Sequence, residues 1–167
     1  MFPASSSSDA AGSRTYSPSN NKTGTQPTKK ILEVEITDPL GKLESKTWLH
    51  GRSKKDVYKL LIDIYRLHEY DNYNGGVVED GSIMTGDVTC SIVAFKRFVE
   101  RIEKNNRQLL PAWWNEERKM ECFRHGLNPE VREYLGFAIE KHDIVEDYGD
   151  NWLPMQMRFF TQSVFSG

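Results

Sequence analysis

Cysteine is nearly absent: Cys90 and Cys122 are the only two in 167 residues. Two cysteines cannot build a disulfide framework, so free, buried thiols in a reducing compartment are expected. No apolar run is long enough to span a bilayer, and no membrane association is expected. The N-terminus lacks the charged segment and apolar stretch of a secretory signal, which points to an intracellular protein, cytoplasmic or nuclear. Charge of one sign is not in excess either, since the net charge is −2. No strongly basic face is predicted, so the electrostatic footprint of a duplex-binding protein is missing and nucleic acid is not an expected partner.

Aromatic and aliphatic residues are scarce in one part of the chain. Residues 1–30 hold Phe2 and Tyr16 as their only aromatics, among Ser, Thr, Asn, Gly and Pro. Such a stretch cannot bury enough apolar surface to offset its ordering entropy, which predicts a disordered Ser-rich arm. The arm carries four basic residues against Asp9, a net +3; the 18 basic and 23 acidic residues that remain leave −5. Residues 31–167 are rich in Trp, Tyr, Phe, Leu and Ile and predict a single helical domain.

The pattern within that domain predicts a mainly α fold of about five helices with a small N-terminal hairpin. Ile31 to Ile36 partly alternates, Asp38-Pro39-Leu40-Gly41 reads as a turn, and Leu43 to Leu49 as a return strand. Ser53 caps a helix in which Asp56 completes a capping-box variant. Val57, Leu60, Leu61, Ile64 and Leu67 form its buried stripe, and it is expected to fade by about Tyr70. A long loop over 71–90 precedes a helix from Ser91 with Phe95, Phe98, Val99 and Ile102 on its inner face. Asn115 caps a third helix ending at Gly126, read as a C′ glycine. Asn128-Pro129 reads as the start of a fourth, carrying Val131, Leu135, Ala138 and Ile139. Asp143 caps a short turn ending at Gly149, and Pro154 opens the last helix, with Met155, Phe159, Val164 and Phe165 packing inward.

Catalytic signatures are wanting. No Gly-x-Ser-x-Gly elbow, phosphate loop or EF-hand loop is present. The one pair with ligand-like spacing, Cys122-x-x-His125, supplies half of a structural zinc set, and its spacing is ordinary for a helix. No catalytic, cofactor-binding or metal-ligating residue is therefore assigned, and no cofactor is expected. The distinctive segment is Leu109-Leu110-Pro111-Ala112-Trp113-Trp114-Asn115. Paired tryptophans behind a proline suit a core wedge or an exposed recognition anchor; a domain of this size needs large apolar side chains, which favours the wedge. Met155-Gln156-Met157-Arg158-Phe159-Phe160 carries the same two readings.

Several blocks taken together resemble the helical region that accompanies the finger in fungal MYND-type zinc-finger proteins. They are Thr47 to Arg52, Asp56 to Leu67, Phe95 to Phe98, Leu109 to Asn115, Ala138 to Asp150 and Leu153 to Arg158, covering residues 46–160 in order. The Leu-Pro-x-Trp-Trp element and the Tyr148-Gly149-Asp150 element with its following Pro-Met-Gln-x-Arg are the most specific parts. His142 and Asp147 depart from the block, which has Ser and His there. The finger itself is not here, because two cysteines cannot supply its ligands, so no metal site carries over. The resemblance implies a non-enzymatic adaptor or scaffold module that binds another protein. Trp113, Trp114, Met155 and Phe160 are the candidate partner-binding residues. The competing reading is an enzyme or small-ligand domain with a pocket near His50, Tyr65 and Trp113. A nucleic-acid-associated protein, resting on the cationic arm, ranks last.

Overall fold

In the computed structural model, which describes residues 32–77, 82–85 and 88–166, the chain forms six α-helices and no strand among the described residues. They are α1 (Pro39–Glu44), α2 (Lys54–Asn74), α3 (Val88–Asn105), α4 (Glu116–Gly126), α5 (Lys141–Tyr148) and α6 (Leu153–Phe165). Short 3-10 turns at Ile83–Thr85 and Arg107–Leu109 sit beside α3. The expected arm over residues 1–30 lies outside the described residues.

Ser53 begins α2 as its pattern predicts: the hydroxyl accepts a hydrogen bond from the Asp56 amide at 3.2 Å. The helix is buried on every side rather than along one stripe. Besides its aliphatics, Asp56, Tyr58, Asp63, Tyr65, Arg66 and Glu69 are all buried. It packs against α6 most extensively and also against α3 and α4, while α1 and α5 pack on α6. The inner face of α3 is the expected one: Phe95, Phe98, Val99 and Ile102 are buried. Trp48 ties α6 to the segment before α2. Its ring lies 5.8 Å from that of Phe160, and its indole N–H donates to Gln156 Oε1 at 2.9 Å. Arg52 closes this corner, with its guanidinium 4.6 Å over the Trp48 ring. Burial lowers the Arg52 pKa to about 10, with Asp56 and Tyr148 pulling it back up, so it stays charged at neutral pH.

Three sequence expectations are corrected. The hairpin is not formed. Asp38 caps α1 by accepting from the Gly41 amide at 3.1 Å, with Pro39 in the first turn. That is the start signal of a helix read as a turn. The amides of Glu33 and Val34 find no partner strand and donate instead to the Asp56 carboxylate, each at 2.9 Å. Asp56 thus anchors the N-terminal segment rather than closing a capping box.

The second correction concerns the helix expected from Asn128. Residues 128–139 form a chain of turns, with weak amide-to-carbonyl bonds of 3.3 Å from Val131 to Asn128, Tyr134 to Val131 and Phe137 to Tyr134. The reason lies across the core on α2. Arg66 donates to the carbonyls of Arg132 (3.0 Å), Tyr134 (3.2 Å) and Phe137 (2.9 Å). Its other donors meet Asp63 Oδ1, from Nε at 3.0 Å and Nη2 at 2.6 Å. One guanidinium fork therefore satisfies carbonyls that a helix would otherwise have paired. Asp63 Oδ2 accepts from the Tyr148 hydroxyl at 2.6 Å, joining α5 to the same cluster. Burial and the neighbouring Asp63 charge raise the Tyr148 pKa far above normal, which keeps the hydroxyl a donor.

The third correction is the role of Gly126. It does not adopt a left-handed conformation. A Cβ placed there would lie 2.7 Å from Leu135 Cδ1, so glycine is needed for close approach of the turn region to α4. The helix boundaries also move. α2 runs to Asn74 and α3 begins at Val88, so both helices take residues from the expected 71–90 loop. Gly149, with φ of 69°, does end α5 as expected.

Candidate docking cleft on the C-terminal helix

The sequence of α6 carries apolar residues on both faces, and the helix packs on α1, α2, α3 and α5. At 100° per residue, Leu153, Met157, Phe160 and Val164 fall together, and all four are buried. Met155, Phe159 and Phe165 fall on the opposite side, with Trp152 just before the helix. Trp152 is 66 % exposed, Phe159 43 % and Phe165 40 %, and Met155 is half-buried. Phe159 and Phe165 therefore face outward, against the sequence expectation. The inner face is complete without them: Leu153, Met157, Phe160 and Val164 belong to the core, with Phe160 packed on Trp48.

The outer side of α6 borders two adjoining cavities. One, of about 410 Å³, lies between Leu67, His68 and Asp71 of α2 and Met155, Arg158 and Phe159 of α6. A bidentate ion pair stands at this cavity: Arg158 Nε and Nη2 each donate to an Asp71 carboxylate oxygen at 2.8 Å. The hydrogen bond that Arg158 donates to Asp71 raises its pKa further above normal, against the opposing effect of partial burial. The pair holds α6 at a fixed distance from the C-terminal half of α2. The second cavity, of about 530 Å³, lies between α2 and α3, with His68 and Phe165 common to both.

Phe165 is held by its neighbours. Its ring stacks on His68 with centroids 4.8 Å apart and planes 25° apart. The Arg101 guanidinium lies 4.5 Å from the same ring centroid. Arg101 belongs to a row on α3, Arg97, Arg101 and Lys104, whose spacing of four and three puts all three on one helix face. All three line the second cavity and are exposed. Among the described residues no carboxylate forms an ion pair with any of them. The acids that share the cavity are Glu69, which is buried, and Glu100.

The residues singled out from the sequence are scattered. Trp114 is 2 % exposed and Phe160 is fully buried, so neither presents a surface to a partner. The Trp114 indole donates to Glu103 at 2.8 Å, and Phe160 packs on Trp48; both belong to the core. Trp113 is half-buried against Tyr58, its ring edge-on with centroids 6.4 Å apart. Of the four, Met155 lines one of the two cavities described above. His50, Tyr65 and Trp113, expected to share a pocket, do not together line either of these two cavities. His50 bonds to the Gln108 carbonyl at 2.9 Å, while Tyr65 packs on Phe95 and Phe98 and borders a cavity that neither His50 nor Trp113 lines.

Cys122 and His125 do not converge on a common site either. Cys122 is buried, which pushes its thiol pKa well up, and His125 pairs with Glu133 at 2.7 Å. Among the described residues, no three His, Cys, Asp or Glu side chains are grouped so as to hold a metal ion. No helix among them is long and apolar enough to cross a membrane. Trp152 and the cationic row on α3 carry no expectation from the sequence, while Phe159 and Phe165 are expected to pack inward and are exposed. The signals were present: a helical wheel of α6 leaves apolar residues on both sides, and the three cations recur at helical spacing. Comparison with known proteins finds no matching family model, no similar curated protein and no similar solved structure.

Proposed function

We propose that this chain is a non-enzymatic protein-interaction module, and that the outer face of α6 with its flanking cavities is the surface that docks the partner. The observation that carries this reading is the set of apolar side chains that α6 leaves outside its core face: Trp152, Phe159 and Phe165 are exposed and Met155 is half-buried, with Met155, Phe159 and Phe165 lining one cavity. Isolated exposed aromatics are ordinary; several on one helix beside a cleft support a binding surface. Met and Phe suit such a surface because they present large contact areas and adapt to what they meet. The resemblance of residues 46–160 to the helical region accompanying MYND fingers supports the same reading, since adaptor roles are what it implies.

The experiment is quantitative affinity capture from cells of the source organism, comparing the wild-type chain with Phe159→Asp and Trp152→Asp. Both positions are exposed, so the variants are expected to melt within a few degrees of wild type. The expected result is a small set of proteins retained by wild type and lost from both variants. A set that is the same for all three proteins would overturn the assignment of this face.

A further inference from the structure

Resting on that docking surface, we propose that its partner contributes an acidic amphipathic segment, with apolar side chains seated between α2 and α6 and carboxylates along α3. The cavity between α2 and α6 is walled by Leu67, Met155 and Phe159. The cavity beside it is walled by Arg97, Arg101 and Lys104, and His68 with Phe165 forms the boundary the two share. One ligand crossing that boundary meets apolar side chains first and then a row of cations.

The charge of the row selects the ligand. Three cations at successive turns of one helix repel one another, and no carboxylate of the described residues pairs with them. Several buried or half-buried cations of the domain are paired, Arg66 with Asp63, Arg118 with Glu121, Lys119 with Glu103 and Arg158 with Asp71, whereas this row faces solvent beside an apolar cavity. Carboxylates spaced at successive turns of a partner helix would match the row. The segment of this chain that precedes the domain is a poor occupant, because residues 1–30 carry a net +3. Nucleic acid is disfavoured as well: three cations beside an apolar cavity are too small a basic footprint to track a phosphate backbone.

The test is a display selection of random peptides on the full chain, using segments of about 15 residues, long enough to form a helix on binding. Recovered peptides are then measured by fluorescence anisotropy against wild type, Phe159→Asp, and the double variant Arg97→Glu/Lys104→Glu. The double variant keeps the contact of Arg101 with Phe165, and circular dichroism checks its fold. The expected peptides combine Asp or Glu with Leu, Phe or Trp at helical spacing. Their affinity is expected to fall at least tenfold in Phe159→Asp, on the order of tenfold in the double variant, and steadily with added salt. Peptides that are neutral or basic, lost in Phe159→Asp but indifferent to the double variant, would overturn the acidic partner and leave the docking face standing. Peptides indifferent to Phe159→Asp would overturn both. A single-stranded RNA that displaces the acidic peptides with equal or greater affinity would overturn the protein partner.

Discussion

Arg66 holds Asp63 through two hydrogen bonds to the same carboxylate oxygen, at 3.0 and 2.6 Å, with both side chains almost completely shielded from solvent. The same guanidinium fixes three carbonyls of the 128–139 turns. Arg66→Met keeps most of the volume but leaves a buried carboxylate and those carbonyls without their donors. The expected cost is about 3–5 kcal/mol, read as a lower urea midpoint. Arg66→Lys is expected to rescue little of it, because one ammonium group cannot reach four acceptors in a planar fan.

Core and surface aromatics separate cleanly by truncation. Trp114→Ala and Phe160→Ala each empty a site in the core, at about 3–5 kcal/mol. Trp152→Ala and Phe159→Ala remove side chains that face solvent and are expected to change stability by no more than ~0.5 kcal/mol. Denaturant titration of the four variants checks the assignment. A large loss at Phe159 would place it in the core.

Glu133 makes folding sensitive to acid. Burial works to raise its carboxyl pKa, but the hydrogen bond from His125 and the charges of His125, Lys59 and Arg66 outweigh it, and the net direction is down. A carboxylate depressed in the folded state adds stability that is fully present above its ordinary value of about 4.3, and that stability is lost as pH falls through the depressed value. Urea midpoints of wild type and Glu133→Gln are therefore expected to differ above the ordinary carboxylate value and to converge in acid. A gap that stays constant down to pH 2–3, roughly two units below the ordinary carboxylate value, would contradict the pairing.

The thiols differ in the same way. Cys90 is exposed and Cys122 is buried, with its thiol pKa pushed well up. A disulfide reagent is expected to titrate one thiol in the native protein at neutral pH and both in denaturant. Two fast thiols in the native state would contradict the packing around α4.

Much of the fold was legible where local chemistry decides it. Ser53, Asn115 and Gly149 end or begin helices as their side chains and backbone freedom dictate. The inner face of α3 follows from its spacing alone. What was not legible depends on partners distant in the chain. Asn128-Pro129 carries a helix start signal, and it loses to Arg66, more than sixty residues earlier, which takes the carbonyls a helix needs. Asp38-Pro39 is ambiguous between turn and helix, and no strand exists nearby to settle it as a hairpin. On α6 the total of apolar residues is visible, but which face turns inward is fixed by Trp48 and Gln156, so the sequence points to Phe160 as a surface anchor and Phe159 as a core residue, the reverse of their burial.

The face used for docking is most directly read from the four tryptophans, Trp48, Trp113, Trp114 and Trp152. Replacing them with 5-fluorotryptophan gives one fluorine resonance each, and the spectrum is recorded with and without a captured partner. If the outer face of α6 is the docking surface, the Trp152 resonance shifts while Trp48 and Trp114, in the core, and Trp113, packed on Tyr58, stay in place. A spectrum in which Trp113 shifts and Trp152 does not would contradict it and move the docking surface to the turn before α4.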